Sequence, residues 1–303
     1  MSDVKSIKLN SRQRLLLVAI LLSAFTGIVI SALRSTGLGG SALLYIGVPT
    51  LIALAFVNSS DSKTAMGSTL KAITFIILIS GPLLQEGFVC MVMAAPILYI
   101  VGALVAWPFD YYRKKKENAS KLNLYIMPFL LLVMSMEGVT DETTFDRHNV
   151  AEYSQVIEGS VTDIKNRLSV SRELQASGSL FYRFFPGPEM INANGLAVGD
   201  RQWVDISYLK WLYWNEKRGA IQFEVTENSN NYLRFKPVAD DSYISSYLTW
   251  GDTAVFLQPV SEHETRVTWR INFQRNIDPA WYAQPLQQYM VGLVARAMVV
   301  SLQ

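Results

Sequence analysis

Hydrophobic residues are distributed very differently in the two halves of the chain. Up to residue 139, long apolar runs at residues 15–33, 38–57, 72–109 and 122–136 are separated by short polar breaks. From residue 140 onward, charged residues recur every few positions and no uncharged run reaches 18 residues. Since a bilayer core about 30 Å thick takes about 20 helical residues, the first half is typical of a membrane region. The second half is typical of a globular domain.

The longest apolar run, residues 72–109, contains Glu86 as its only charged residue. As one helix it would be about 57 Å long, nearly twice the thickness of the bilayer core. The glycines and proline of "GPLLQEG", residues 81–87, predict that the chain turns back there. Glu86 is then a turn residue at the outer surface, and the alternative is a half-buried carboxylate that binds a proton or a lipid headgroup.

The pattern therefore predicts five transmembrane helices, at residues 15–33, 38–57, 66–84, 88–107 and 122–136. With the N-terminus in the cytoplasm, the inner segments carry eleven Lys and Arg residues and the short outer loops carry only Arg34. A single crossing by residues 72–109 would move the "RKKK" block outside and make the division six to six. Five helices thus predict a multi-pass protein of the cytoplasmic membrane, with everything after residue 139 on the outer side.

Charge and cysteine content narrow the possible functions. Residues 140–303 carry 15 Lys and Arg against 19 Asp and Glu, which makes nucleic acid an improbable partner because binding it requires neutralising phosphates. The single cysteine, Cys90, excludes a disulfide within one chain and a cysteine zinc site. The apolar run at residues 15–33 is longer than a usual signal-peptide core, so we interpret it as a retained anchor.

After a polar connector at residues 140–147, the second half predicts an α+β domain at residues 148–303. We expect a strand at residues 150–159, a short helix at residues 161–170 and a second helical segment that begins at residue 179 and stops at Pro186 and Pro188. About six strands separated by turns follow. Strict alternation of apolar and polar residues in "AIQFEVTE" and "TRVTWRINFQR" indicates an antiparallel sheet with one buried face.

The chain ends in a long predicted helix. Asp278 is the expected N-cap and Pro279 the first helical residue. The predicted helix has about 26 residues and is about 39 Å long, and its apolar stripe contains Tyr282, Leu286, Tyr289, Leu293 and Ala297. Gln287, Gln288 and Arg296 favour an amphipathic helix over a sixth transmembrane helix because a central arginine is costly to insert.

This order of elements resembles the START-like helix-grip superfamily, also called SRPBCC, which includes polyketide cyclases and lipid-transfer domains. The resemblance covers about residues 148–303 and is closest at "FPGPEMINANGLAVGDRQ" and "TRVTWRINFQRNIDPAWYAQPLQQYMV", segments similar to those of a membrane-anchored bacterial branch. "EGFVCMVMAAP" in the membrane half is also similar to that branch. The resemblance implies a curved antiparallel sheet around the last helix, with a cavity for apolar ligands between them.

Aromatic residues supply candidates for lining such a cavity. Trp203, Trp211 and Tyr213 share one strand face with Asp205, and Trp269 and Arg270 lie on a later strand. Phe181, Tyr182 and Phe185 lie where related folds have the cavity mouth. Two alternatives remain open: these aromatics belong to an ordinary core, or the "FYRFF" segment dips into the membrane interface.

Catalytic motifs are not found in the sequence. It has no G-x-S-x-G elbow, H-E-x-x-H helix, phosphate loop or dinucleotide glycine pattern, and we expect both histidines, His148 and His263, to be exposed. We therefore expect no metal and no cofactor. The leading hypothesis is a membrane-anchored module that binds a lipid or another hydrophobic small molecule. The alternatives are an assembly partner of another membrane protein, and an enzyme that uses Asp205 or Arg270 on a hydrophobic substrate.

Overall fold

The structure is a computed structural model, and it describes residues 42, 46, 47, 50, 64–84, 88–115, 121–174, 187–209 and 216–303. The chain forms two compact units, of which the first lies within residues 1–143 and the second contains residues 144–303. The predicted transmembrane helix at residues 15–33, most of that at residues 38–57, and Glu86 lie outside the described residues.

Three helices are described in the first unit: α1 (Ala65–Leu84), α2 (Phe88–Lys115) and α3 (Lys121–Met134). Among the described residues, one segment, Met91–Tyr112, is long and apolar enough to cross a membrane, with a mean hydropathy of 2.0. Ala65–Ile77 and Tyr125–Met134 are apolar but shorter. The arrangement with five transmembrane helices therefore remains a prediction.

Helices α1 and α2 run antiparallel. Near the end of α2, the Asp110 carboxylate accepts hydrogen bonds from the backbone N–H groups of Ala65 and Met66, at 2.6 and 2.9 Å. Further along, the hydroxyl oxygens of Thr74 and Tyr99 are 2.7 Å apart. The apolar run at residues 72–109 thus folds back between two helices, as the helix breakers in it predict.

The second unit is built on one antiparallel sheet of eight strands in the order β1-β8-β7-β6-β5-β4-β3-β2. The strands are β1 (His148–Glu158), β2 (Arg172–Glu173), β3 (Gly187–Ala193), β4 (Arg201–Leu209), β5 (Glu216–Ser229), β6 (Tyr232–Asp240), β7 (Leu248–Ser261) and β8 (Glu264–Arg275). Helix α4 (Val161–Ser169) connects the two edge strands, and α5 (Ala280–Val300) ends the chain.

Local sequence explains these elements well. In β8 every second residue from Thr265 to Arg275 is buried, as the alternation predicts. Helix α4 begins with a capping box, in which the Ser160 hydroxyl accepts from the Asp163 N–H and the Asp163 carboxylate accepts from the Ser160 N–H. Hydrogen bonding to Ser160 lowers the pKa of Asp163.

Strand β3 begins at Gly187, between the two prolines at which the second helical segment is predicted to stop, and residues 179–186 lie outside the described residues. One local prediction is wrong. Asp278 does not cap α5: Pro279 is the N-cap residue and makes no side-chain cap bond. The Asp278 carboxylate instead binds the guanidinium groups of Arg147 and Arg275.

The core of the second unit lies between the sheet and α5. Helix α5 contributes Val291, Ala295, Met298 and Val299 to a cluster that also contains the inward residues of β8. Register shifts at residues 188–190, 222–223, 225–227 and 250–253 interrupt the strand pairing, and such bulges bend a sheet. A curved antiparallel sheet around a long C-terminal helix is the helix-grip arrangement, so this part of the fold prediction is confirmed.

Candidate functional site

A cavity opens between the concave face of the sheet and α5. Strands β3 to β5 line it with Pro188, Ile191, Val204, Ile206, Ile221 and Phe223. Strands β6 to β8 contribute Phe235, Trp250, Thr253, Trp269 and Ile271, and α5 contributes Val294 and Met298. Gln202 and Ile244 complete the lining. The cavity is the interior of the helix-grip fold, formed by residues far apart in the chain.

The cavity is apolar and small. The volume open to the centre of a water molecule is about 40 Å³, whereas about 10–15 Å³ by this measure is enough for one water. The lining contains two uncharged polar side chains, those of Gln202 and Thr253. The Gln202 amide is already hydrogen-bonded, since it donates to the carbonyl oxygens of Leu168 and Gly195, at 3.1 and 3.5 Å. None of the described lining residues is charged.

Two polar atoms in the lining are unpaired. Trp250 and Trp269 are 8% and 4% exposed, and the indole Nε1 of each is buried without a hydrogen-bond partner among the described residues. The indole N–H can only donate, and leaving such a donor buried without an acceptor costs about 1–3 kcal/mol. Each Nε1 atom exposes less than 1 Å², so both N–H groups are covered by the surrounding protein.

The structure places one predicted site residue, Trp269, in the cavity lining. Trp203 and Asp205 lie on the other face of β4, because their neighbours Gln202, Val204 and Ile206 point inward and side chains alternate along a strand. The Asp205 carboxylate accepts a hydrogen bond from the Asn192 amide at 2.8 Å.

Arg270 lies on the outer face of β8. Its Nε is 2.7 Å from the Glu152 carboxylate, and its guanidinium lies over the Phe256 ring at 5.0 Å. Asp205 and Arg270 therefore have partners outside the cavity, and the described lining contains no acid–base pair. The other candidates, Phe181, Tyr182, Phe185, Trp211 and Tyr213, lie outside the described residues.

Sequence reasoning missed Trp250, although it is one of the two unpaired tryptophans. In "LTWGDTAVFL" the alternation of buried residues is broken between Trp250 and Thr253 by an irregularity in the pairing of β7 with β8. Residues on both sides of the break face inward, which a period-two pattern cannot show. The available signal is Gly251 directly after a large aromatic, since glycine within a strand often marks a bulge.

Two other groups of polar residues, one buried and one half-buried, lie outside the cavity lining. Asp278 lies between Arg147 and Arg275, and the Arg275 side chain is fully buried. On β2, burial lowers the pKa of Arg172 to about 10. His148 and His263 are exposed as expected, and the described residues contain no group of His, Cys, Asp and Glu side chains suited to a metal ion.

Similar solved structures cover about half of the chain. They include norcoclaurine synthase from Thalictrum flavum, with 12% identity, 51% of this chain and 92% of that chain covered, and a TM-score of 0.31. The aromatase/cyclase from Streptomyces sp. R1128 is 10% identical, with 51% and 89% covered and a TM-score of 0.30. A START superfamily protein from Mycobacterium smegmatis is 11% identical, with 49% and 93% covered and a TM-score of 0.32.

No family model matches this sequence, and no curated protein matches it. The structural neighbours are members of the START-like superfamily that the sequence resembles. At these identities and TM-scores, the fold assignment rests on the strand order and the position of α5. The membrane-anchored branch remains a prediction.

Proposed function

We propose that this protein is a membrane-anchored binding module for a lipid or another hydrophobic small molecule. The observation that carries the proposal is the apolar cavity between the concave sheet and α5, whose described lining has no charged side chain. Cavities with apolar walls and few polar groups are the usual form of sites for small hydrophobic ligands. The described lining lacks the convergent acids and bases that an enzyme would use.

The volume of the cavity limits the size of the ligand that it can hold. About 40 Å³ open to water centres fits a small ring or a thin chain, and a larger ligand requires lining side chains to move. Met298, at the α5 side of the cavity, is unbranched and adapts readily to a new shape. A small or slender molecule is therefore the favoured ligand.

Membrane anchoring would give such a ligand a short route. The apolar segment Met91–Tyr112 and the antiparallel packing of α1 on α2 support an anchor that crosses the membrane, and the distribution of lysine and arginine supports an outer position for residues 140–303. A ligand that moves from the bilayer into a nearby cavity avoids exposing methylene groups to water, at about 0.8 kcal/mol each.

Native mass spectrometry of the full chain, released from detergent, tests the binding function. We expect an added mass that leaves as an apolar compound. Val294→Phe should remove it because the larger side chain fills the cavity from α5, and Val198→Phe, at a position 67% exposed, should retain it. An apo mass in the wild type, or an equal adduct in both variants, would contradict the proposal.

A second candidate function is favoured by the small volume of the cavity. If residues 148–303 form a filled core, the protein is an assembly or stabilising partner of another membrane protein. The wild type should then migrate on a native gel of gently solubilised membranes as part of a complex larger than this protein alone. Migration at the size of this protein alone would count against the assembly role.

A further inference from the structure

One hydroxyl group in the wall of the cavity is available to a ligand. We propose that Thr253 selects the ligand, and that its hydroxyl binds the single neutral oxygen group, a hydroxyl or a carbonyl, of a small apolar molecule. This inference rests on the proposed binding function. It adds the polar group of the ligand and the residue that recognises it.

The strand pairing places the Thr253 side chain on the concave face of the sheet. Thr253 on β7 lies directly opposite Phe235 of β6 and Ile271 of β8, and all three residues line the cavity. Residues directly opposite each other in antiparallel strands carry their side chains on the same face. Oγ1 and Cγ2 of Thr253 both branch from Cβ, so rotation about χ1 exchanges their positions without moving the backbone.

The Thr253 hydroxyl is neither hydrogen-bonded nor fully covered. Within the described part of the chain, no group forms a hydrogen bond with its Oγ1. This atom is also not one of those that the surrounding protein covers without a partner, as it covers Nε1 of Trp250 and of Trp269. Thr253 is only 5% exposed, so the space next to its hydroxyl is that of the cavity it lines. A polar group of the ligand would satisfy a hydroxyl that the fold leaves without a partner.

The wall around Thr253 offers no second polar contact. The ring of Phe235, the residue opposite Thr253, stacks on that of Trp269, with centroids 6.2 Å apart and an angle of 6° between the planes. Gln202, the other polar side chain of the described lining, already donates to two carbonyl oxygens. A ligand with a second polar group would have to bury it without a partner, which is costly.

The charge of the wall narrows the ligand further. None of the described lining residues is charged, so a carboxylate, a phosphate or an ammonium group would be buried without a counter-charge. A threonine hydroxyl both donates and accepts, so Thr253 can bind an alcohol as well as a carbonyl. A neutral molecule with one such group and an apolar body is the class that fits.

The probes are cyclohexanol and methylcyclohexane, which have nearly the same shape and differ by a hydroxyl in place of a methyl group. Each is titrated into the full chain in detergent, and binding is followed by the carbon-13 methyl signals of its ten methionines. Met298 lines the cavity and reports binding there, whereas Met190, outside the lining, reports non-specific effects. Met298→Leu and Met190→Leu assign the two signals. We expect both probes to shift the Met298 signal.

Thr253→Val tests the hydroxyl, because valine has nearly the same shape and lacks the oxygen. We expect the affinity for cyclohexanol relative to methylcyclohexane to fall about threefold to tenfold, the range of one neutral hydrogen bond. Partitioning into detergent affects wild type and variant equally and cancels from this comparison. Thr253→Ser keeps the hydroxyl and should keep the wild-type ratio. Thr226→Val, at an exposed position on β5, is the matched control and should also keep it.

The outcomes separate the two proposals. An equal ratio in the wild type and in Thr253→Val, with Met298 shifted by both probes, would overturn the role of Thr253 and leave the binding function standing. A Met298 signal that neither probe shifts would overturn the binding of small ligands and this inference with it.

A measurement on the wild type keeps the inference testable if Thr253→Val fails to fold. The Thr253 methyl signal, assigned by its loss in Thr253→Ser, should show a nuclear Overhauser contact with the proton on the alcohol carbon of cyclohexanol. Contacts of that methyl group with the far side of the ring alone would overturn the inference.

Discussion

Nη2 of Arg147 lies 2.5 Å from Oδ2 of Asp278, although 131 residues separate the two in the chain. Asp278 also accepts a hydrogen bond from Nη1 of Arg275, and neither Asp278 nor Arg275 exposes its side chain. The Arg275 backbone N–H donates to the carbonyl oxygen of Arg147 at 2.8 Å. One buried carboxylate thus joins the entry to β1 with the turn between β8 and α5.

Replacing this carboxylate should destabilise the second unit strongly. Asp278→Asn keeps the shape but leaves two guanidinium groups without a counter-charge, and breaking a buried pair from one side costs about 3–5 kcal/mol. Hydrogen exchange of the full chain in detergent should show faster exchange in β1 and α5. Glu262→Gln, which neutralises an exposed carboxylate, is the control, and similar exchange in both variants would contradict the prediction.

Alanine substitutions at two glycines should change the free energy of unfolding in opposite directions. A Cβ on Gly219 would lie 2.7 Å from the Ser242 Cα and 2.8 Å from the Asp241 oxygen, so Gly219→Ala must displace backbone and should cost about 1–3 kcal/mol. Gly292 in α5 has open space around its Cβ position, and Gly292→Ala should stabilise by about 0.5–1 kcal/mol. Thermal unfolding of both full-length variants in one detergent tests the opposite signs.

Arg172→Met should stabilise the protein. Arg172 is half-buried, its Nη2 is buried without a hydrogen-bond partner, and the described residues give it no carboxylate within salt-bridge distance. The two atoms that accept hydrogen bonds from Arg172 keep other hydrogen bonds when the arginine is removed. Ser301 Oγ donates to the Met298 oxygen, and the Leu168 oxygen accepts from Gln202. We expect a gain of about 1–3 kcal/mol at pH 7, since removing a poorly compensated buried charge is often stabilising.

The pH dependence of that gain follows from the lowered pKa. Burial lowers the pKa of Arg172 from 12.5 to about 10, so the cost of the charge is fully present below pH 10. Above that value the unfolded chain binds more protons than the folded one, and wild-type stability rises toward that of the variant. Urea unfolding should show a smaller difference in the free energy of unfolding between Arg172→Met and the wild type at pH 10.5 than at pH 7. Arg266→Met, the control at an exposed position, should leave the free energy of unfolding nearly unchanged at pH 7.

Asp110 should hold the start of α1. Its carboxylate accepts from the Ala65 and Met66 N–H groups, which lack intrahelical partners at a helix N-terminus. Asp110→Ala should cost about 1 kcal/mol, and Asp110→Asn should cost less because the amide oxygen still accepts. Faster hydrogen exchange confined to the first turn of α1 is the expected result, and unchanged exchange in Asp110→Ala would count against the contact.

Patterns confined to a few neighbouring residues determined much of this fold. Alternation identified β5 and β8 and their buried faces, Ser160 with Asp163 marked the start of α4, and helix breakers marked the return between α1 and α2. Each pattern reflects a backbone period or a cap, so the sequence alone contains it. The classification as an α+β helix-grip domain follows from the order of these elements.

The site was decided by contacts between distant residues. Alternation separates the two faces of β4 but does not say which is concave, and the structure turns Val204 and Ile206 inward and Trp203 and Asp205 outward. Asp278 stands where the sequence predicts an N-cap, yet its carboxylate binds Arg275 at the end of β8 and Arg147 just before β1. Whether a buried polar atom has a partner depends on every element packed around it, which is why only the tertiary structure revealed the unpaired N–H groups of Trp250 and Trp269.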